Sequence, residues 1–202
     1  MVLGSLGRPI RGLLDAGARV TDPREKRWLE QAENATGVGD ITNQLIRLMR
    51  WVGNNLTSQN PPPKTKDPLE ILELGHGWCD QQALVFLWCV SKLYGFKTRQ
   101  IAVYHTDGVS GHTVAEVFYE NKWRLFDVHS DHQTVYKHPE TGEVMGYLEI
   151  CAHIEQVKAE EHWWRGQNGQ GKEGFYAIAI LHPWQLKKNN PGAAYCDFRT
   201  GD

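Results

Sequence analysis

GHGWCDQQALVFLWCVSKLYG, residues 75–95, places two glycines around a histidine and then runs from Cys79 to Tyr94 without proline or glycine before Gly95. That length and punctuation predict a helix over 79–94 with Gly95 as its C-terminal stop. At about 100° per residue, Cys79, Ala83, Phe86 and Val90 share one face, while Leu84, Val85, Leu87 and Trp88 cover most other directions. A helix apolar on every side belongs in the middle of a core. Cys79 sits where this helix begins, among backbone amides that have no partner within the helix. Those amides and the helix dipole favour negative charge, so the position stabilises a thiolate.

Downstream of Gly95 the apolar pattern changes from helical to alternating. Residues 97–105, 111–120 and 122–129 read as three strands rich in Val, Phe, Tyr and Trp, the last two forming a hairpin. His112 opens the second strand behind Gly111, and Asp127 lies near the end of the third. A thiol nucleophile wants an adjacent imidazole, and the imidazole wants an acceptor on its other nitrogen to fix its tautomer. A turn at Glu120-Asn121 sets Asp127 opposite Val114, on the same face as His112 and diagonal to it, about 7 Å between backbones. A turn at Asn121-Lys122 sets Asp127 opposite Glu116, and the three side chains then meet only through a bulge. Both registers are open at this level.

Upstream, Asp22-Pro23 starts a helix that runs through Trp28, Leu29 and Ala32 to Gly37. Asp40 caps a second, whose stripe of Ile41, Leu45, Leu48, Met49, Val52 and Leu56 faces the core while Arg47, Arg50 and Asn54 face outward. Pro61-Pro62-Pro63 makes residues 57–66 an extended connector, and Asp67-Pro68 restarts a short helix through Leu72. Beyond residue 130 the pattern weakens to a turn at 138–142, a helix at 150–161, a Trp- and Gly-rich loop at 163–174 and a strand at 175–181. The resulting organisation is an N-terminal arm, 1–20, followed by a single α+β domain, 21–202, with its core at about 40–130.

Composition bounds the partners. The 202 residues carry 22 Lys plus Arg against 24 Asp plus Glu, so no basic excess points to nucleic acid. With 41% hydrophobic residues the chain can fill a core, which excludes global disorder, yet no apolar run approaches the roughly 20 residues of a membrane span. No secretory h-region is evident near the start, so the default location is cytoplasmic. The cysteines at 79, 89, 151 and 196 have no CxxC spacing and are too sparse for a disulfide framework. His129-Ser130-Asp131-His132 with His138 is the one dense histidine cluster, and its spacing fits no strong zinc signature. Neither a metal nor a cofactor is expected, and the oligomeric state is not encoded in any visible motif.

Residues 75–105, GHGWCDQQALVFLWCVSKLYGFKTRQIAVYH, followed by 111–131, GHTVAEVFYENKWRLFDVHSD, resemble the core of the transglutaminase-like superfamily. There a cysteine opens a helix, and His and Asp lie on successive strands. The resemblance covers about residues 40–130. It rests on an ordered set: Gly-x-Cys with Ala83 beyond it, the glycine after the helix, His-x-x-x-Glu-Val, and Trp-x-x-x-Asp. It implies a papain-like core in which Cys79 is the nucleophile, His112 the general base and acid, and Asp127 its orienting partner. The reaction class that follows is acyl transfer on an amide of a peptide, protein or other substrate, as peptidase, amidase or transglutaminase-type transamidase. The rival is a non-catalytic binding or assembly module that keeps the fold, and a third reading is acetyl transfer from a thioester donor.

Around this set, the turn brings His76 close to the nucleophile, where it either takes a direct part or is a solvent-facing loop histidine, and Trp78 is placed either to wall an acyl pocket or simply to pack. Gln81 and Gln82 either help polarise the acyl oxygen or solvate the helix start. Glu116 and Asp131 read as residues of a solvated strand face.

Overall fold

Each early helix is set by its caps. Asp22 accepts a hydrogen bond from the Arg24 amide at 2.8 Å, Pro23 fills the first helical position, and α1 (Pro23–Thr36) ends at Gly37. Asp40 caps α2 (Ile41–Asn55) through the Asn43 amide, and Arg47 turns back to the carbonyls of Thr36 and Val38, tying the two helices at their joint. Asp67 caps α3 (Pro68–Leu74), which runs past the expected end at Leu72 to a left-handed Gly75. These elements belong to a computed structural model that describes residues 20–104, 110–131, 133–152 and 158–159. The expected arm, the 163–174 loop, the 175–181 strand and Cys196 lie outside the described residues.

The central helix α4 (Cys79–Tyr94) has the bounds its sequence predicts, and every residue from Gln81 to Val90 is buried. It is covered by α1, α2 and α3 and by an antiparallel sheet in the order β1 (Lys97–Tyr104), β2 (Ser110–Tyr119), β3 (Lys122–Phe126). Leu45, Leu48, Met49 and Val52 of α2, Phe86 of α4 and Phe126 of β3 share one core, with the two phenyl rings 5.3 Å apart. Helices packed on a three-stranded antiparallel sheet make the fold α+β. Among the described residues no helix is long and apolar enough to cross a membrane.

The hairpin resolves the open register. Glu120 and Asn121 have φ of 50° and 62°, the pair of left-handed residues that a type I′ turn requires. Tyr119 pairs with Lys122 and Ala115 with Phe126, which is the register of the Glu120-Asn121 turn, and the pairing ends one step short of Val114 and Asp127. The third strand is shorter than expected because Asp127 leaves β2 and exchanges backbone hydrogen bonds with Thr134 at 2.9 and 3.0 Å.

Two further readings are corrected. The helix expected over 150–161 is instead α5 (Tyr147–Ala152), and Lys158–Ala159 form β5, paired with β4 (Tyr136–Lys137). Glu116 is not solvated: it is fully buried, both Nε and an Nη of Arg99 donate to its Oε2 at 2.6 and 2.5 Å, and the Tyr147 amide donates to Oε1 at 2.5 Å. The segment from Val144 to Ile150 closes over that carboxylate, so the polar residue that looked like a surface marker serves as an internal anchor.

Candidate active site

The turn before α4 is built on Thr57. Its amide donates to the Gly75 carbonyl at 3.1 Å, and the Gly77 amide donates back to the Thr57 carbonyl at 3.0 Å. A Cβ at Gly77 would lie 3.0 Å from Cβ of Gln81, whose Oε1 receives the Trp78 amide. Glycine therefore lets the chain enter α4 tightly, with Cys79 as the first helical residue.

His112 is aimed by an irregular strand. Val103 pairs with His112 but Tyr104 pairs with Ser110, which leaves Gly111 as an extra residue immediately before the histidine. Such bulges turn the side chain next to them. The His112 Nε2 meets Asp127 Oδ1 at 2.8 Å, and both side chains are buried, at 6% and 0% exposure. The His112 side chain and its charge also act on the Cys79 thiol beside it. The Thr113 backbone amide also favours the thiolate.

Electrostatics favours the charged form of this pair. Burial works to raise the Cys79 pKa, but the hydrogen bond and charge of His112, with the Thr113 amide, outweigh it and hold the thiol below its ordinary value. Burial opposes the imidazolium too, yet Asp127 and Cys79 push His112 up to about 10. Asp80 opposes the thiolate, and Lys66 lies 2.5 Å from the Asp80 carboxylate. Cys89, fully buried deeper in α4, shows the contrast: with burial dominant, its thiol is pushed up beyond any physiological range.

Of the sequence-predicted residues, the structure thus joins His112 to Asp127 by a hydrogen bond and brings Cys79 close enough for its thiol and the imidazole to shift each other. Trp78 lies beside them with 44% of its surface exposed, its indole N–H held by the Gln59 carbonyl at 3.0 Å. His76 bonds through Nδ1 to the Leu74 carbonyl at 3.0 Å. Gln81 donates to the carbonyls of Pro63 and Thr65, and Gln82 is tied to Gly77, Ser58 and Ser130. His129, which the sequence places only in a polar histidine cluster, packs its ring edge-on against His112 with centroids 5.9 Å apart, and its Nε2 lies 2.8 Å from Ser58 Oγ. The available signal was its place just past Asp127, which a polar loop also explains. Among the described residues no group of three or more His, Cys, Asp or Glu is arranged to hold a metal ion.

A helix-borne cysteine facing a histidine and an aspartate on an antiparallel hairpin defines a papain-like α+β core. Residues 30–128, just under half of the chain, match the family model of the transglutaminase-like superfamily, which is generally cysteine-dependent. Among solved structures, a TGase is similar at 18% identity over 52% of this chain and 31% of its own, with a TM-score of 0.42. A structure from Cytophaga hutchinsonii described as a candidate cysteine protease is similar at 14% identity over 51% of this chain and 37% of its own, with a TM-score of 0.44. The chain therefore spans about a third of the length of each. No protein of curated function matches it.

Proposed function

We propose that the protein is a cysteine-dependent acyl-transfer enzyme acting on amide bonds. The observation that carries this reading is the buried His112–Asp127 pair at 2.8 Å with Cys79 beside it at the start of α4, where the thiol is lowered and the imidazole raised by their mutual influence. In the first half-reaction the Cys79 thiolate attacks the carbonyl carbon, and backbone amides at the start of α4 receive the developing oxyanion. His112 delivers its proton to the leaving nitrogen as the C–N bond breaks, which leaves a thioester on Cys79 and a neutral imidazole. Water or an amine then attacks the thioester, His112 takes the proton, and the carboxylic acid or new amide departs as the thiolate is regenerated. Asp127 keeps the imidazole oriented and stabilises its charge throughout.

Water as acceptor makes the protein a peptidase or amidase, and an amine makes it a transamidase. One assay separates them: a generic protein substrate is offered with a fluorescent alkylamine, and new α-amines, released ammonia and incorporated fluorescence are followed in parallel. Turnover in any channel that disappears in Cys79→Ala and falls at least a hundredfold in His112→Ala supports the reading. Channels all equal to the Cys79→Ala background across peptide, glutamine and simple amide substrates would favour the non-catalytic module.

A further inference from the structure

Gln82 is fully buried, and its amide is used on both sides. Nε2 donates to the Gly77 carbonyl at 2.7 Å and to Ser58 Oγ at 3.4 Å, while Oε1 receives the Ser130 amide at 2.6 Å. Gly77 lies in the turn that leads into Cys79, and Ser130 lies in the segment that leaves Asp127. Ser58, in the connector after α2, reaches on to His129 Nε2 at 2.8 Å, and the His129 amide approaches Asp127 Oδ1 at 3.4 Å. One side chain on α4 therefore joins the segment carrying the thiol to the segment carrying the carboxylate. A leucine or methionine would fill the same interior volume with no need of partners, whereas a buried amide is tolerable only when its hydrogen bonds are made.

Resting on the acyl-transfer reading above, we propose that Gln82 is a positioning residue, a strut that fixes the distance between the Cys79 turn and the Asp127 end of β3 and thereby keeps the thiol within hydrogen-bond reach of His112. The thiol comes from a helix and the imidazole from a sheet, and the contact between these layers is largely apolar. Apolar packing tolerates small slides, but a hydrogen bond between the layers loses strength quickly with distance and angle. The Gln82 bonds supply direction at the end of α4 where alignment matters, as supporting contacts do around a reactive constellation. Both Gln82 N–H groups are engaged with Gly77 and Ser58, so its contribution is alignment and not donation to an acyl oxygen.

Gln82→Met keeps the length and volume and removes all three bonds. The readout is the pH dependence of iodoacetamide labelling at Cys79, located by mass spectrometry, in the full chain, with circular dichroism and continued protection of Cys89 reporting the fold. The expected result is a labelling midpoint about one pH unit higher than wild type, hence about tenfold slower labelling near pH 6. A folded Gln82→Met with the wild-type midpoint overturns the strut. Should that variant fail to fold, Gln82→Glu, which keeps the shape and the acceptor for the Ser130 amide but loses the donor to the Gly77 carbonyl, decides instead: an upward shift of its midpoint supports the strut and an unchanged midpoint overturns it. The two levels of the account fail differently. An unchanged variant beside a depressed wild-type midpoint removes only the strut, whereas a wild-type midpoint as high as that of a free cysteine removes the acyl-transfer reading and the strut with it.

Discussion

His112 Nε2 and Asp127 Oδ1 face each other at 2.8 Å between two buried side chains that arrive from different strands of one hairpin. Burial alone would disfavour the imidazolium, and the carboxylate reverses that, holding His112 at about 10. Asp127→Asn should therefore drop the His112 midpoint by several units, observable in the imidazole carbon-bound proton shifts by NMR titration. The stability linkage has a definite sign. A histidine whose pKa is higher folded than unfolded contributes stability that is fully present below about 6.5 and is lost as pH rises through about 10. The advantage of wild type over Asp127→Asn in urea unfolding should be greatest near pH 6 and shrink towards pH 10. An advantage that grows over that range would contradict the assignment.

Glu116 and Arg99 make the second internal ion pair, with the guanidinium also stacked 4.1 Å from the centre of the Trp123 ring. Arg99→Met leaves a buried carboxylate with only the Tyr147 amide as partner and should cost about 3 kcal/mol in denaturant unfolding. Adding Glu116→Leu removes the stranded charge, so the double variant should recover part of the loss. Additive losses would show that the pair is less coupled than its geometry requires.

Two glycines separate backbone from side-chain crowding. A Cβ at Gly146 would lie 2.6 Å from the Trp123 carbonyl oxygen, an atom of the sheet that cannot step aside, and Gly146→Ala should destabilise by about 3 kcal/mol. At Gly53, inside α2, the nearest atoms at 2.8 Å belong to the flexible Gln133 side chain. Gly53→Ala should stay within about 1 kcal/mol of wild type, because alanine's helix preference offsets the displaced glutamine. Thermal or urea unfolding of both variants tests the contrast.

The helices and the location of Cys79 were legible because caps, prolines and glycines act locally: Asp22-Pro23, Asp40, Asp67-Pro68 and Gly95 mark their elements within a residue or two. The hairpin register was not, since Glu120-Asn121 lacks the glycine that advertises a type I′ turn and adopts it with two non-glycine residues at positive φ. Glu116 read as solvated because alternation cannot reveal Arg99 on the neighbouring strand or the distant segment at Tyr147 that covers it. His129 and Gln82 were invisible as a linked pair for the same reason: Ser58 and Ser130, which connect them, come from segments far apart in the chain. Local chemistry could be read from the sequence; contacts closed by tertiary structure could not.

The central claim is that Cys79 is an activated thiolate. Iodoacetamide labelling of the native chain as a function of pH, with the modified cysteine located by mass spectrometry, tests it most directly. The account predicts selective labelling of Cys79 already near pH 6, loss of that reactivity in His112→Ala, and no native-state labelling of Cys89. Labelling of Cys79 only above about pH 8, or the same profile with and without His112, would contradict it.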